Sequence, residues 1–161
     1  MSENPLSRIR LTNPVHLLAI GFGSGLIRPA PGTWGSLAGL ALGAGLFTLL
    51  GANLFLFLTA LGFAVGCYLC QKTADDMGVH DHGSIVWDEF IGVWLCLLCV
   101  PEISWFWCAV AFVVFRFFDI LKPYPIKIFD EKLESGFGIM IDDVLAAVYG
   151  SVLIIILRTF L

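Results

Sequence analysis

The sequence predicts an all-α polytopic membrane helical bundle, with about five spanning helices and a short N-terminal interfacial or re-entrant helix. Three observations carry this. Hydrophobic residues make up 58% of the 161 positions and charged residues 14%, whereas soluble domains are nearer a quarter charged. Mean hydropathy is +0.90. The apolar residues also lie in long runs, with no charge from Trp34 to Cys70, about twice the ~20 residues that cross a bilayer core once. The same figures exclude disorder. A net charge of −4 without any basic run argues against a nucleic-acid partner. The length fits one domain, 1–161. Residues 1–14 are polar and do not read as a secretory signal.

The elements follow in order. Val15 to Ile27 is apolar but too short to span, and it holds three glycines, which gives the interfacial or re-entrant helix. Gly51-Ala52-Asn53 breaks the long uncharged run as a tight turn, predicting helices over 35–50 and 54–71. Pro101-Glu102 breaks the run from Phe90 to Phe115, predicting helices over 85–100 and 104–120. The final run, Val144 to Leu157 with Ile139-Met140-Ile141 before it, predicts a helix over 139–158. Alternating these spans places eight of the nine basic residues on one side of the membrane. By the positive-inside rule that side is cytoplasmic. The charge-dense segments all converge on it.

Three such segments carry the candidate chemistry. The first, Arg28 to Ser36, is a Pro/Gly loop entering a helix, with Thr33 or Ser36 as its cap. Free N–H groups at a helix start attract anions, and Arg28 adds a bidentate phosphate ligand. The second, Asp75 to Glu89, packs five carboxylates and two histidines into fifteen residues. Asp75, Asp76 and Asp81 read as a solvated loop. Asp88 and Glu89 stand at the edge of an apolar run, where carboxylates are costly unless paired, metal-bound or wetted. The third runs from Arg116 through Asp119 and Lys122 to Asp142-Asp143, which open the last helix. Arg116 and Asp119 are three apart and share a helix face.

Asp88, Glu89, Asp119, Asp142 and Asp143 thus fall near one bilayer level. A hard divalent ion, most simply Mg²⁺, accounts for such a set. With Arg28, Arg116 and Lys122 beside it, the composition is that of a phosphoryl-transfer site. At a membrane face the phosphate is expected on a lipid. Expected metal ligands are Asp88, Glu89, Asp142 and Asp143. Expected substrate contacts are Arg28, Arg116, Lys122 and Ser36. Asp119 is a candidate general base, with direct attack by a carboxylate or Thr33 as the competing route.

These residues resemble a known family. Arg28-x-Ala30-Pro31-Gly32-Thr33-x-Gly35-Ser36, Ile85-Val86-x-Asp88-Glu89-x-x-Gly92, Phe115-Arg116-x-Phe118-Asp119-x-x-Lys122-Pro123-x-Pro125-Ile126 and Gly138-x-x-x-Asp142-Asp143 look like the motifs of phosphatidylglycerophosphatase A. The resemblance runs from about Gly21 to Ala147. It implies a small all-helical, Mg²⁺-dependent phosphatase of phospholipid synthesis. It also implies hydrolysis of phosphatidylglycerophosphate on the cytoplasmic face of a bacterial inner membrane. The alternative class is a non-enzymatic membrane carrier or assembly factor with a charged cytoplasmic face. That alternative explains the topology but not the paired carboxylates.

Other residues read as structural. Cys67-x-x-Cys70 and Cys96-x-x-Cys99 imitate a zinc site, but the topology puts the pairs near opposite helix ends, beyond the reach of one ion. Buried packing is the expectation for these and for Cys108. His80 and His82 read as exposed loop histidines, and His16 as interfacial. Gly39, Gly43 and Gly45 suit close helix packing. Oligomeric state is not legible.

Overall fold

The structure is a computed structural model that describes residues 3–161; Met1 and Ser2 of the polar segment 1–14 lie outside the described residues. Those residues form helices and connecting turns with no strand. The α-helices are α1 (Pro14–Ala19), α2 (Pro31–Met77), α3 (Trp87–Leu97), α4 (Trp105–Leu121), α5 (Ile126–Lys132) and α6 (Gly136–Phe160), with 3-10 turns at Pro5–Arg8 and Ser24–Leu26. α2 and α6 are long and apolar enough to cross a membrane.

α2 is a hairpin of two helical arms. Gly51 has φ 78° and ψ 167°, which no helix accommodates. The rings of Phe47 and Phe55 lie 5.2 Å apart, although eight residues of straight helix would separate them by ~12 Å. The turn expected at Gly51 is therefore present. It divides α2 into an ascending arm, 31–50, and a returning arm, 52–77.

Glycines set how closely α3 approaches both arms. A Cβ at Gly35 would meet Val86 at 2.5 Å, one at Gly39 the Phe90 backbone at 2.9 Å, and one at Gly43 Trp94 at 2.4 Å. On the returning arm, a Cβ at Gly62 would meet Ile91 and one at Gly66 would meet Trp87, each at 2.7 Å. Indole N–H groups lock the contact: Trp87 donates to the Gly62 carbonyl (3.0 Å) and Trp94 to that of Gly39 (2.8 Å). α3 thus runs parallel to the first arm and antiparallel to the second. It also packs against α4 and α6, and nine of its eleven residues are buried, so it is the axis of the bundle.

The boundaries differ from expectation where tertiary contacts decide them. α2 begins at Pro31 rather than 35, which puts Thr33 inside the helix and Ser36 beyond the capping position. Its N-cap is Ala30, with no capping side chain. α3 is eleven residues, about 16 Å long, where 85–100 was expected. Its start is fixed by the Val86 amide on the Ala19 carbonyl (2.9 Å). Pro101 disfavours helix in the residue before it. α5 has no counterpart in the sequence expectation. The N-terminal segment forms α1 and a 3-10 turn instead of one helix, because Gly21, Phe22 and Gly23 all take positive φ. The outer faces of α2, α4 and α6 leave large apolar side chains exposed, among them Leu49, Trp105, Val113 and Ile155.

All five cysteines are free. Cys70 lies against Met140 and Cys96 against the Ala147 carbonyl. Seven residues of α6, about 10 Å, separate those contacts, so the two Cys-x-x-Cys pairs do not form one site.

Candidate active site

Two adjacent residues of the first α3 turn, Asp88 and Glu89, meet Asp143 from the second turn of α6. One carboxylate oxygen from each lies within 4.8 Å of the others. The helix N-terminus favours negative charge in this place, but burial opposes it. Asp88 is 8% exposed and Asp143 3%. Asp88 Oδ1, Glu89 Oε2, Asp142 Oδ1 and Asp143 Oδ2 are buried with no hydrogen-bond partner. Orphaned carboxylate oxygens are costly in a low-dielectric interior. An all-oxygen set with free lone pairs is what a hard cation uses, so the residues present fit a divalent ion. Three of the four expected ligands, Asp88, Glu89 and Asp143, are brought together. Asp142, expected with them, has its Oδ2 on Lys122 Nζ at 2.7 Å.

Cationic side chains flank the cluster. Arg116 Nη1 reaches Glu89 Oε1 at 3.5 Å and pairs with Asp119 on the same helix face. Lys122 caps α4 in the left-handed conformation (φ 46°). It bridges Asp142 and Asp130 Oδ1, the latter at 2.9 Å. Burial alone would lower the Lys122 pKa, but the hydrogen bonds to these two carboxylates outweigh it and hold the ammonium above its ordinary value. Partial desolvation raises the Asp81 carboxyl, opposed by Lys122 and His80.

The Arg28–Ser36 segment approaches from the other side. A Cβ at Gly32 would lie 2.6 Å from Glu89 Oε1 and 3.3 Å from the Arg116 guanidinium; one at Gly35 would lie 2.9 Å from Glu89 Oε2. These glycines let the first turn of α2 rest on the cluster, with Thr33 beside it in sequence. Arg28 Nη2 donates to Ser84 Oγ at 3.2 Å, and the Ser84 amide donates to His82 Nδ1 at 3.1 Å. Ser36 was expected to contact substrate. Instead it is fully buried, and its hydroxyl donates to the Gly32 carbonyl.

Three features lay outside the sequence expectation. Ser84 anchors Arg28, and Asp130 completes the Lys122 bridge from the unexpected α5. His16, expected at an interface, is 3% exposed. Its Nδ1 accepts the Arg10 amide (3.0 Å), which leaves Nε2 to donate to Asp76 Oδ2 (2.9 Å). This bond ties α1 to the end of α2. No spacing rule connects residues sixty positions apart.

Fold and site define a class: a small, all-helical, strongly apolar protein with a buried acidic cluster ringed by arginine and lysine. The chain belongs to the phosphatidylglycerophosphatase A family, whose model matches residues 17–158. It is 68% identical over 152 residues to the phosphatidylglycerophosphatase A of Haemophilus influenzae, covering 94% of this chain and 93% of that one. It is 54% identical over 142 residues to the Escherichia coli protein of the same name, covering 88% and 82%. No solved structure matches the chain.

Proposed function

We propose that this protein hydrolyses phosphatidylglycerophosphate to phosphatidylglycerol and inorganic phosphate, with Mg²⁺, at the cytoplasmic face of a bacterial inner membrane. The observation that carries the reading is the convergence of Asp88, Glu89 and Asp143, with unpartnered oxygens, beside Arg116 and Lys122. Family membership supports the substrate. A carrier has no need of such a cluster.

Asp88, Glu89 and Asp143 would hold the ion, with Asp142 beside them. Bound there, Mg²⁺ would supply positive charge that polarises the phosphomonoester. Arg28, Arg116 and Lys122 neutralise the phosphoryl oxygens, and Arg116 also orients Glu89 and Asp119. Water attacks phosphorus, the bond from phosphorus to the glycerol oxygen breaks, and that oxygen leaves as the hydroxyl of phosphatidylglycerol by taking up the proton released by the water. Asp119 is the carboxylate assigned to take the water's proton. Attack by a carboxylate or Thr33 would instead leave a covalent phosphoenzyme, which acid trapping would reveal.

The membrane arrangement is part of the proposal. The two arms of α2, then α3 with its flanking turns, α4 and α6, make five passes, with the site at the cytoplasmic end. The Arg158 guanidinium donates to the Cys99 carbonyl at 3.2 Å, so the end of α6 and the α3–α4 turn share the opposite face. The test is phosphate release from phosphatidylglycerophosphate by detergent-purified protein, with Mg²⁺ and with chelator. Mg²⁺-dependent release that is lost in Asp88→Asn and Asp143→Asn is expected. No release from a folded sample would overturn the reading.

A further inference from the structure

An apolar groove of about 680 Å³ runs between the first arm of α2 and α4. Leu37, Ala41 and Ala44 form one wall, and Phe112, Ala109 and Cys108 form the other. Its volume falls within the roughly 300–1,000 Å³ of ligand sites. Its position in depth is informative. Phe112 is four residues, one helical turn, before Arg116, and Leu37 is five residues after Gly32. A Cβ at Gly32 would lie 3.3 Å from the Arg116 guanidinium, beside Glu89. The groove therefore begins about one turn beneath the charged cluster. It then descends about 10 Å toward the opposite face, to Ala44 and Trp105.

Three alanines on the facing walls keep the helices from filling the space between them. The rim is apolar and outward-facing, with Leu37 and Trp105 exposed. Such a channel opens sideways to hydrocarbon rather than upward to water. An anionic headgroup held at Arg116 would let its chain descend along a lining that is apolar except for Ser104 at the far end, whose hydroxyl caps α4.

We propose that this groove is an acyl-chain subsite, through which a phosphomonoester lipid enters laterally from the bilayer with its headgroup leading to Arg116 and Glu89. The inference rests on the lipid-phosphatase reading of the site and adds where the lipid lies. Continuity with the cluster and its arginine selects the occupant: a lipid bearing a phosphomonoester headgroup rather than a second protein chain.

The first test compares long-chain and short-chain substrates, dipalmitoyl and dihexanoyl phosphatidylglycerophosphate, on Ala41→Trp and Ala109→Trp. Val152→Trp, on the exposed face of α6, is the control. Blocking the groove removes several methylene contacts, so KM for the long-chain lipid should rise about ten-fold or more, while turnover of the short-chain lipid stays at the wild-type value. An unchanged long-chain KM would overturn the proposal, as would an equal rise for Val152→Trp. The second test uses unaltered protein and does not depend on turnover. A lipid with a diazirine in mid-chain and a phosphomonoester headgroup is photo-crosslinked in vesicles, and labelled peptides are mapped. Labelling of 105–112 should be displaced by unlabelled phosphomonoester lipid but not by phosphatidylcholine, while labelling of 148–156 responds to neither. Equal displacement by both lipids would mean bulk lipid contact and would overturn the subsite. If wild-type protein hydrolyses neither substrate, the functional reading fails, and the labelling still decides the groove.

Discussion

Gly32 stands where any side chain would strike Glu89: a Cβ there would lie 2.6 Å from the Glu89 carboxylate oxygen Oε1. The atom it would strike is the end of a flexible side chain, so the fold can yield by turning Glu89 aside. Alanine is also the better helix former by about 1 kcal/mol. Gly32→Ala should therefore leave stability unchanged or slightly raised. The displaced carboxylate should lower kcat, by up to about 100-fold if it moves by ~1 Å. Gly35→Ala is the contrast, because its Cβ would meet Val86 Cβ at 2.5 Å, a rigid neighbour, and stability itself should fall. Detergent unfolding and initial rates, measured on both variants, check the pair.

The three converging carboxylates predict a cation requirement that can be read without substrate. Mn²⁺ titrated into chelator-treated protein and followed by electron paramagnetic resonance should show a bound fraction that Mg²⁺ displaces. Asp143→Asn removes one charge and one ligand from a buried set, and affinity should drop at least ten-fold, ~1.4 kcal/mol. Asp75→Asn, changed away from the cluster, should bind as wild type. Equal binding by Asp143→Asn and wild type would remove Asp143 from the ligand set.

His82 carries a pH dependence of definite sign. Desolvation, with Arg28 second, lowers its pKa from the ordinary value of about 6.5. Neutral His82 accepts the Ser84 amide at Nδ1, and protonation would fill that acceptor. A depressed folded-state pKa means that this contribution to stability is complete above about pH 6.5 and lost as pH falls through the folded value. Side-chain NMR of histidine-labelled protein in micelles should find His82 titrating below 6.5. Arg28→Gln should move it upward, and a midpoint unmoved by that substitution would break the link.

The sequence legibly encodes those parts of the fold and site that have a local cost. Gly51-Ala52-Asn53 interrupts an uncharged run, so the hairpin could be read. Asp88, Glu89 and Asp143 adjoin apolar runs, where unneutralised charge is expensive, so they could be singled out before any geometry. What could not be read depends on distant partners. α5 lies just after Pro123 and Pro125, and only its packing on α6 makes seven residues helical. Lys122 draws Asp142 away from the other three carboxylates across twenty residues. Ser36 reads as a cap or substrate contact at the helix start, yet the helix begins five residues before it and its hydroxyl turns onto the Gly32 carbonyl. The short α3 was hidden by a hydrophobic run that continues past its end.

Gly51 also provides a test of the hairpin. With φ 78° and ψ 167° it occupies a region essentially restricted to glycine. No atom lies within 4 Å of where its Cβ would be, so a substitution there tests backbone conformation without a packing change. Gly51→Ala should cost roughly 1–3 kcal/mol, measured by denaturant unfolding in mixed micelles. Gly45 is the matched control, since its Cβ would also meet nothing but its backbone is helical. Gly45→Ala should be neutral or stabilising by up to about 1 kcal/mol. Because the turn lies at the far end of both arms from Asp88 and Asp143, residual kcat per folded molecule should match wild type in both variants. A Gly51→Ala protein as stable as Gly45→Ala would mean that the chain does not reverse at this residue. The opposed directions of 31–50 and 52–77 along α3 would then have to be abandoned.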